Sequence, residues 1–179
     1  MIRPAAPADA DMIATVHIAA WRGAYRGAMP DSYLDGLSLE TVSARWRRRL
    51  EDGGGDGRFA DGDASATLLL GEDATGRVVG ISGAGSARGL DEPTTGELWL
   101  INLDPVAWGT GVGADLLASA TGLLGAEGCH AAVLWVLETN GRARRFYEKW
   151  GWRPDGVTRV DQSFGFPLAE VRYRRPLGL

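Results

Sequence analysis

Two mostly apolar runs, ELWLINL at 97–103 and AAVLWVL at 131–137, bracket a glycine-rich turn and a helical stretch that reaches about Leu124. Strands that are apolar on both faces belong in the middle of a sheet, covered on both sides. A connection long enough to hold a helix lets the chain return in the same direction, so the two strands run parallel through a right-handed crossover. Their C-terminal ends therefore open on the same side of the molecule. In simple alternation Trp99, Ile101 and Leu103 share one face of the first strand, and Leu98 and Leu100 the other.

The rest of the chain supplies elements to build around this pair. MIRPA reads as a short first strand. Ile13, Val16, His17, Ala20, Trp21 and Ala24 then fall on one face of a helix over about 8–25. After the turn-rich PDSYLDG, Ser38 is the N-cap of a second helix whose inward face is Leu39, Val42, Trp46 and Leu50, with Arg47, Arg48 and Arg49 solvated. The Gly- and Asp-rich stretch 52–63 reads as a mobile loop. A hairpin follows over 66–70 and 78–83, and Ala143, Phe146, Tyr147 and Trp150 mark a last short helix that stops near Gly151. Strands at 157–163 and 168–174 finish the chain. The expected fold is α/β in the α+β sense: a mixed, mostly antiparallel sheet of six or seven strands, one parallel pair splayed apart, and about four helices. The 179 residues suit a single domain, 1–179.

Composition removes several functional classes. No apolar run approaches the ~20 residues of a membrane span. The N-terminus lacks an apolar signal core, and Asp9 and Asp11 stand where one would lie, so a cytoplasmic location is expected. A net charge of −4 gives no general attraction for nucleic acid. The single cysteine, Cys129, forms no internal disulfide, and no ligand cluster for a metal is visible.

The turn itself, AWGTGVGADLL, alternates glycines at Gly109, Gly111 and Gly113 just before a helix. Residues without side chains let successive N–H groups, from Gly109 through Thr110, Gly111, Val112 and Gly113 to Ala114, converge on an anion, and the helix adds the positive end of its dipole. The G-x-G-x-G spacing does not match the dinucleotide fingerprint, which disfavours an NAD-dependent oxidoreductase, and no Gly-Lys-Ser/Thr is present for a nucleoside triphosphate.

With these residues in view the chain resembles the GNAT superfamily of acyl-CoA N-acyltransferases over nearly its whole length. Gly111 and Gly113 match the small positions of that family's Arg/Gln-x-x-Gly-x-Gly/Ala pyrophosphate signature, Leu103-Asp104-Pro105 looks like its strand end, and Asn140 to Tyr147 with Gly151 looks like its second motif. Trp108 stands where the family has Arg or Gln. The resemblance implies acetyl-CoA as cosubstrate, bound by the backbone of Ile101, Asn102 and Leu103 along pantetheine, by Gly109 to Ala114 at the pyrophosphate, and by Asn140 and Ala143. It implies Tyr147 as general acid to the departing thiolate and Glu97 as general base, with direct transfer to a primary amine in a ternary complex. His17 and His130 are the other conceivable bases, and Cys129, at ~3.3 Å per residue, is roughly 30 Å from the site. Trp21, Tyr25 and Tyr33, with Asp31 and Asp35, are the lining candidates for a small-molecule or peptide amine. A homodimer is open. The competing reading is an acyl-CoA-binding sensor that has lost the chemistry.

Overall fold

The computed structural model describes residues 1–61 and 64–178. One twisted sheet has the order β1-β3-β4-β5-β6-β8-β7, with β2 paired to β3 off this path. Its strands are β1 (Ile2–Pro4), β2 (Arg58–Asp61), β3 (Ala64–Glu72), β4 (Val78–Ser86), β5 (Thr95–Leu103), β6 (Ala131–Leu137), β7 (Arg153–Asp161) and β8 (Leu168–Pro176). The helices are α1 (Ala10–Ala24), α2 (Asp31–Asp35), α3 (Leu39–Asp52), α4 (Val112–Ala126) and α5 (Gly141–Lys149), with 3-10 turns at Pro7–Asp9 and Pro105–Ala107. α1 and α3 cover one face of the sheet through Ile13, Val16, Val42, Trp46 and Leu50. α4 and α5 cover the other through Leu117, Ala120, Leu124 and Tyr147. No helix among the described residues is long and apolar enough to cross a membrane.

The sheet gains a strand and the chain a helix over the sequence reading. Inside the expected loop 52–63, whose residues 62 and 63 lie outside the described residues, Arg58–Asp61 pairs antiparallel with β3. Phe59, 1 % exposed, drives this: its ring meets Trp46 at 5.6 Å and Trp99 at 5.4 Å. A single buried aromatic among glycines gives no period to detect. The extra helix, α2, follows Pro30 as its N-cap and buries Leu34 completely.

Simple alternation fails in β5. Opposite it Gly83 pairs with Leu100 and Ala84 with Leu98, so Trp99 is the extra residue of a β-bulge. Leu98 therefore packs beneath α4 with Leu117 and Leu124, whereas Trp99 and Leu100 both turn to the cluster under α1 and α3, and Ile101 returns to the α4 side. The parallel pairing of β5 with β6 is confined to Thr95–Leu98 against Ala131–Leu134. Beyond Leu98 and Leu134 the two strands diverge, and the inner edge of β5 from Trp99 to Leu103 has no strand beside it. β4 and α4 stay close because Gly80 has no side chain: a Cβ there would come within 2.7 Å of Leu116.

Candidate active site

The divergence of β5 and β6 opens a cleft of about 790 Å³ that passes from one face of the sheet to the other. Its β5 lip is Leu100, Ile101, Asn102 and Leu103; its far lip is Trp135, Val136, Leu137 and Asn140. On the α4 side it is closed by Trp108, Gly109, Gly111, Gly113 and Ala114, and by Arg142, Ala143, Phe146 and Tyr147 of α5.

The glycine loop is built to present main-chain donors. Asp104 begins it by accepting from Val106 N at 3.1 Å, and Pro105 sets the 3-10 turn. Gly111 is the N-cap of α4 at φ 99°, a left-handed conformation natural to glycine. Of the six expected donors, Thr110 N and Ala114 N are spent on Ala107 O and Gly111 O. Among the described residues, the N–H groups of Gly109, Gly111, Val112 and Gly113 donate to no protein carbonyl. The side chains of Thr110 and Val112 leave the cleft: Thr110 Oγ1 bonds Ala107 O at 2.8 Å, and Val112 rests where β3 and β4 carry Gly71 and Gly80. Asn140 caps α5 by accepting from Ala143 N at 3.1 Å, while the residue itself lines the cleft. Trp108 carries the guanidinium of Arg142 over its ring at 3.9 Å, and Arg142 meets no carboxylate among the described residues. Arg142 of α5 thus places a guanidinium beside Trp108, the position where the signature has Arg or Gln.

Tyr147 lines the cleft from α5, 6 % exposed, with its ring against Phe146 at 5.4 Å and Trp152 at 6.2 Å. Burial raises its hydroxyl pKa, with a smaller push from Tyr25, so it stays a donor at neutral pH. Tyr25, also on the cleft wall, is pushed up to about 12 by burial and by the charge of Glu170. Glu170 lies on β8 opposite Leu137, reaches the cleft, and accepts at Oε2 from Arg159 Nε at 2.7 Å. Sequence reasoning missed it, since nothing in its local sequence distinguishes it from an outward strand residue.

Glu97 does not reach the cleft wall. Its side chain is 2 % exposed, and both oxygens are held by Arg88: Oε2 by the main-chain N–H at 2.8 Å and Oε1 by the guanidinium at 2.5 Å. The guanidinium in turn lies over Trp99 at 4.4 Å. This ion pair was invisible in sequence because residues nine apart meet here only through the turn between β4 and β5.

On the α1 side the wall is aromatic and basic. Trp21 and Tyr25 line it, together with Trp46, Phe59, Trp99, Trp135 and Phe164. Tyr33 lies behind, packed on Phe164 and Phe166, and is not on the cleft wall. Asp31 and Asp35 are exposed and both pair with Arg26, so they do not line the cleft either. In their place stand Arg45, Arg49, Arg88 and Arg159 with Asp61, Asp161 and Glu170.

His17 forms part of this floor, 6 % exposed and stacked on Trp21 at 4.7 Å. Burial, then the charges of Arg45 and Arg49, lower its pKa to about 3. Between the ordinary value of about 6.5 and that value the unfolded chain binds a proton that the folded one refuses, so this contribution to stability is complete above about 6.5 and lost as pH falls toward 3. His17→Leu is therefore expected to flatten the loss of stability between pH 6.5 and 4, as read from urea midpoints across that range. Cys129 lies just before the far end of β6, half-buried and off the cleft wall, with its thiol pushed up by burial. His130 also lies off the cleft wall. Among the described residues no group of three or more His, Cys, Asp or Glu is placed to hold a metal ion.

The chain and its fold find counterparts among known proteins. Residues 24–152 match the model of the Acetyltransferase (GNAT) family. The chain is 29 % identical over 139 residues to the uncharacterized N-acetyltransferase YuaI of Bacillus subtilis (strain 168), covering 78 % of this chain and 72 % of that protein. It is 30 % identical over 148 residues to a mycothiol acetyltransferase of Mycobacteroides abscessus, covering 79 % of this chain but only 47 % of that protein, about half its length. In fold it is similar to the PaiA N-acetyltransferase of Thermoplasma acidophilum, crystallised with coenzyme A, at a TM-score of 0.71 and 18 % identity over 98 % of both chains. With a family match across most of its length and the same overall fold, the chain belongs to the GNAT acetyltransferases and is an acetyl-CoA-dependent acyltransferase.

Proposed function

We propose that the enzyme transfers the acetyl group of acetyl-CoA directly to a primary amine bound on the α1 side of the cleft. The observation that carries this is the set of four unspent N–H groups at Gly109, Gly111, Val112 and Gly113, in a loop whose three glycines line the same cleft as Tyr147. They suit a pyrophosphate, and Arg142, held over Trp108, supplies a cation beside them. The free inner edge of β5 at Ile101, Asn102 and Leu103 offers strand-like pairing to the pantetheine amides, with Asn140 and Ala143 on the opposite lip.

The amine nitrogen attacks the thioester carbon, the carbon–sulfur bond breaks, and the sulfur leaves as thiolate. Tyr147 gives the thiolate a hydrogen bond and then its proton. The amine loses its proton to Glu170, whose Oε1 is free of Arg159 and whose charge is felt by Tyr25. An ammonium entering an aromatic wall that also carries Arg45, Arg49, Arg88 and Arg159 loses part of its preference for the charged form, which eases that step. Glu97 is assigned to holding Arg88 against Trp99 rather than to the proton.

The test is thiol release from acetyl-CoA with a panel of primary amines, followed by pH profiles of two variants. Glu170→Gln is expected to lower the rate at least tenfold and to remove the acid limb of the profile. Glu97→Gln is expected to keep that limb. The reverse pattern returns the base to Glu97, and an absence of thiol release with every amine, despite acetyl-CoA binding, favours the non-catalytic sensor.

A further inference from the structure

Trp108 is the residue at which the chain departs from the family signature, and it immediately precedes the first of the four unspent N–H groups, that of Gly109. Two neighbours meet its ring. From α1, Gly23 leaves it space: a Cβ there would come within 2.5 Å of Pro105 Cγ and 3.5 Å of Trp108 Cη2. From α5, the Arg142 guanidinium lies over the ring at 3.9 Å, near van der Waals contact. Trp108 comes from the connection between β5 and α4 and Arg142 from α5, and both line the cleft.

Arg142 stands where stability alone would not put a cation. It is the second residue of α5, at the positive end of the helix dipole, and the first turn of that helix has no acidic residue to offset it. Arg144, two residues on, is occupied elsewhere: its Nε donates to Tyr173 Oη at 3.1 Å and its Nη1 to Glu138 O at 3.0 Å, and it does not line the cleft. Arg142 makes no hydrogen bond or ion pair to protein among the described residues, and the Trp108 ring is what holds it. A guanidinium over an aromatic face keeps its fork of donors for an oxyanion, and it pairs readily with phosphate. An arginine already seated on a ring also gives up less rotamer freedom when its ligand arrives.

We infer that Trp108 is a positioning residue: its ring holds Arg142 beside the glycine loop, so that the guanidinium which the signature can place at position 108 is delivered here from α5 to the pyrophosphate of acetyl-CoA. This rests on the reading that the glycine loop binds that pyrophosphate. Because Trp108 adjoins Gly109, the phosphate within reach of the guanidinium is the one the loop holds rather than the one on the ribose. Trp108 touches no reacting atom, and no proton passes through either residue.

The experiment measures Kd by calorimetry for CoA and for 3′-dephospho-CoA, at about 50 mM and about 0.5 M salt, so that no acceptor is needed. Arg142→Gln is expected to weaken both ligands by about tenfold or more and to reduce the salt dependence of binding. Trp108→Leu is expected to weaken both by about threefold or more with the same loss of salt dependence. Trp108→Phe, which keeps a ring under the guanidinium, should stay within about twofold of the parent. In the Arg142→Gln background Trp108→Leu should cost no more than about twofold, since no guanidinium is left to hold. A Trp108 that merely packs the loop against α1 would show the opposite, an undiminished loss in that background and the parent's salt dependence in Trp108→Leu. Parent-like affinity in Arg142→Gln also overturns the inference. So does a loss of CoA affinity with that of 3′-dephospho-CoA kept, which would assign the guanidinium to the ribose phosphate. A parent protein that binds neither ligand would instead remove the underlying reading of the loop.

Discussion

Replacing Gly111 by valine is expected to abolish the rise in melting temperature that acetyl-CoA gives the parent enzyme. At a concentration 100 times its dissociation constant a ligand stabilises by about 2.7 kcal/mol, so the shift is large enough to read without ambiguity. Space is not the reason for the loss, since a Cβ at Gly111 would meet nothing within 4 Å. The reason is the φ of 99°, which a β-branched residue does not adopt without strain, so the loop must rotate and the four N–H groups no longer converge. The free protein should lose only on the order of 1–2 kcal/mol, because the loop is exposed. Gly113 is a less clean target. Its Cβ would press on Leu103 at 3.2 Å beneath α4, so a side chain there disturbs helix packing together with any anion. A full ligand shift in Gly111→Val would remove the donor loop from the proposed site.

Tyr147→Phe is expected to lower acetyl transfer by about 10² or more, the scale for losing a positioned proton donor. The phenyl ring keeps the contacts with Phe146, Trp152 and Tyr173, so stability and acetyl-CoA affinity should change little. The hydroxyl has no protein partner among the described residues, which leaves it free for the sulfur. Because its pKa is raised, the parent should show no alkaline loss of activity attributable to this group through pH 9. Wild-type turnover in Tyr147→Phe would reduce the residue to a core aromatic and assign the thiolate's proton to water.

The geometry of the glycine loop was legible in sequence because it is local. A strand, Asp104-Pro105, the glycines and the helix start are contiguous, and their geometry follows from backbone chemistry that the residues declare. Asn140 was legible for the same reason: a cap is a relation over three residues. The α1 side of the cleft was legible only at Trp21 and Tyr25. Trp46, Phe59, Arg88, Trp135, Arg159 and Glu170 come from six separate segments, and each looks like an ordinary wall or surface residue by itself. Asp31 and Asp35 were misplaced because a nearby arginine, Arg26, takes both. The bulge at Trp99 was missed since alternation has no marker for one inserted residue, although it decides that Trp99 faces Phe59 and Arg88.

A sheet ordinarily has two outer edges, and both invite other chains to pair with them. The parting of β5 and β6 gives this one two more, set face to face inside the molecule. They open onto the cleft between the glycine loop and α5 rather than onto the outer rim of the sheet. A thin, extended molecule with amides of its own can still slide between them. The fold thus keeps the adhesive property of an exposed strand, and slowed amide hydrogen exchange at Ile101 and Leu103, whose N–H groups point away from β4, would register when that gap is bridged.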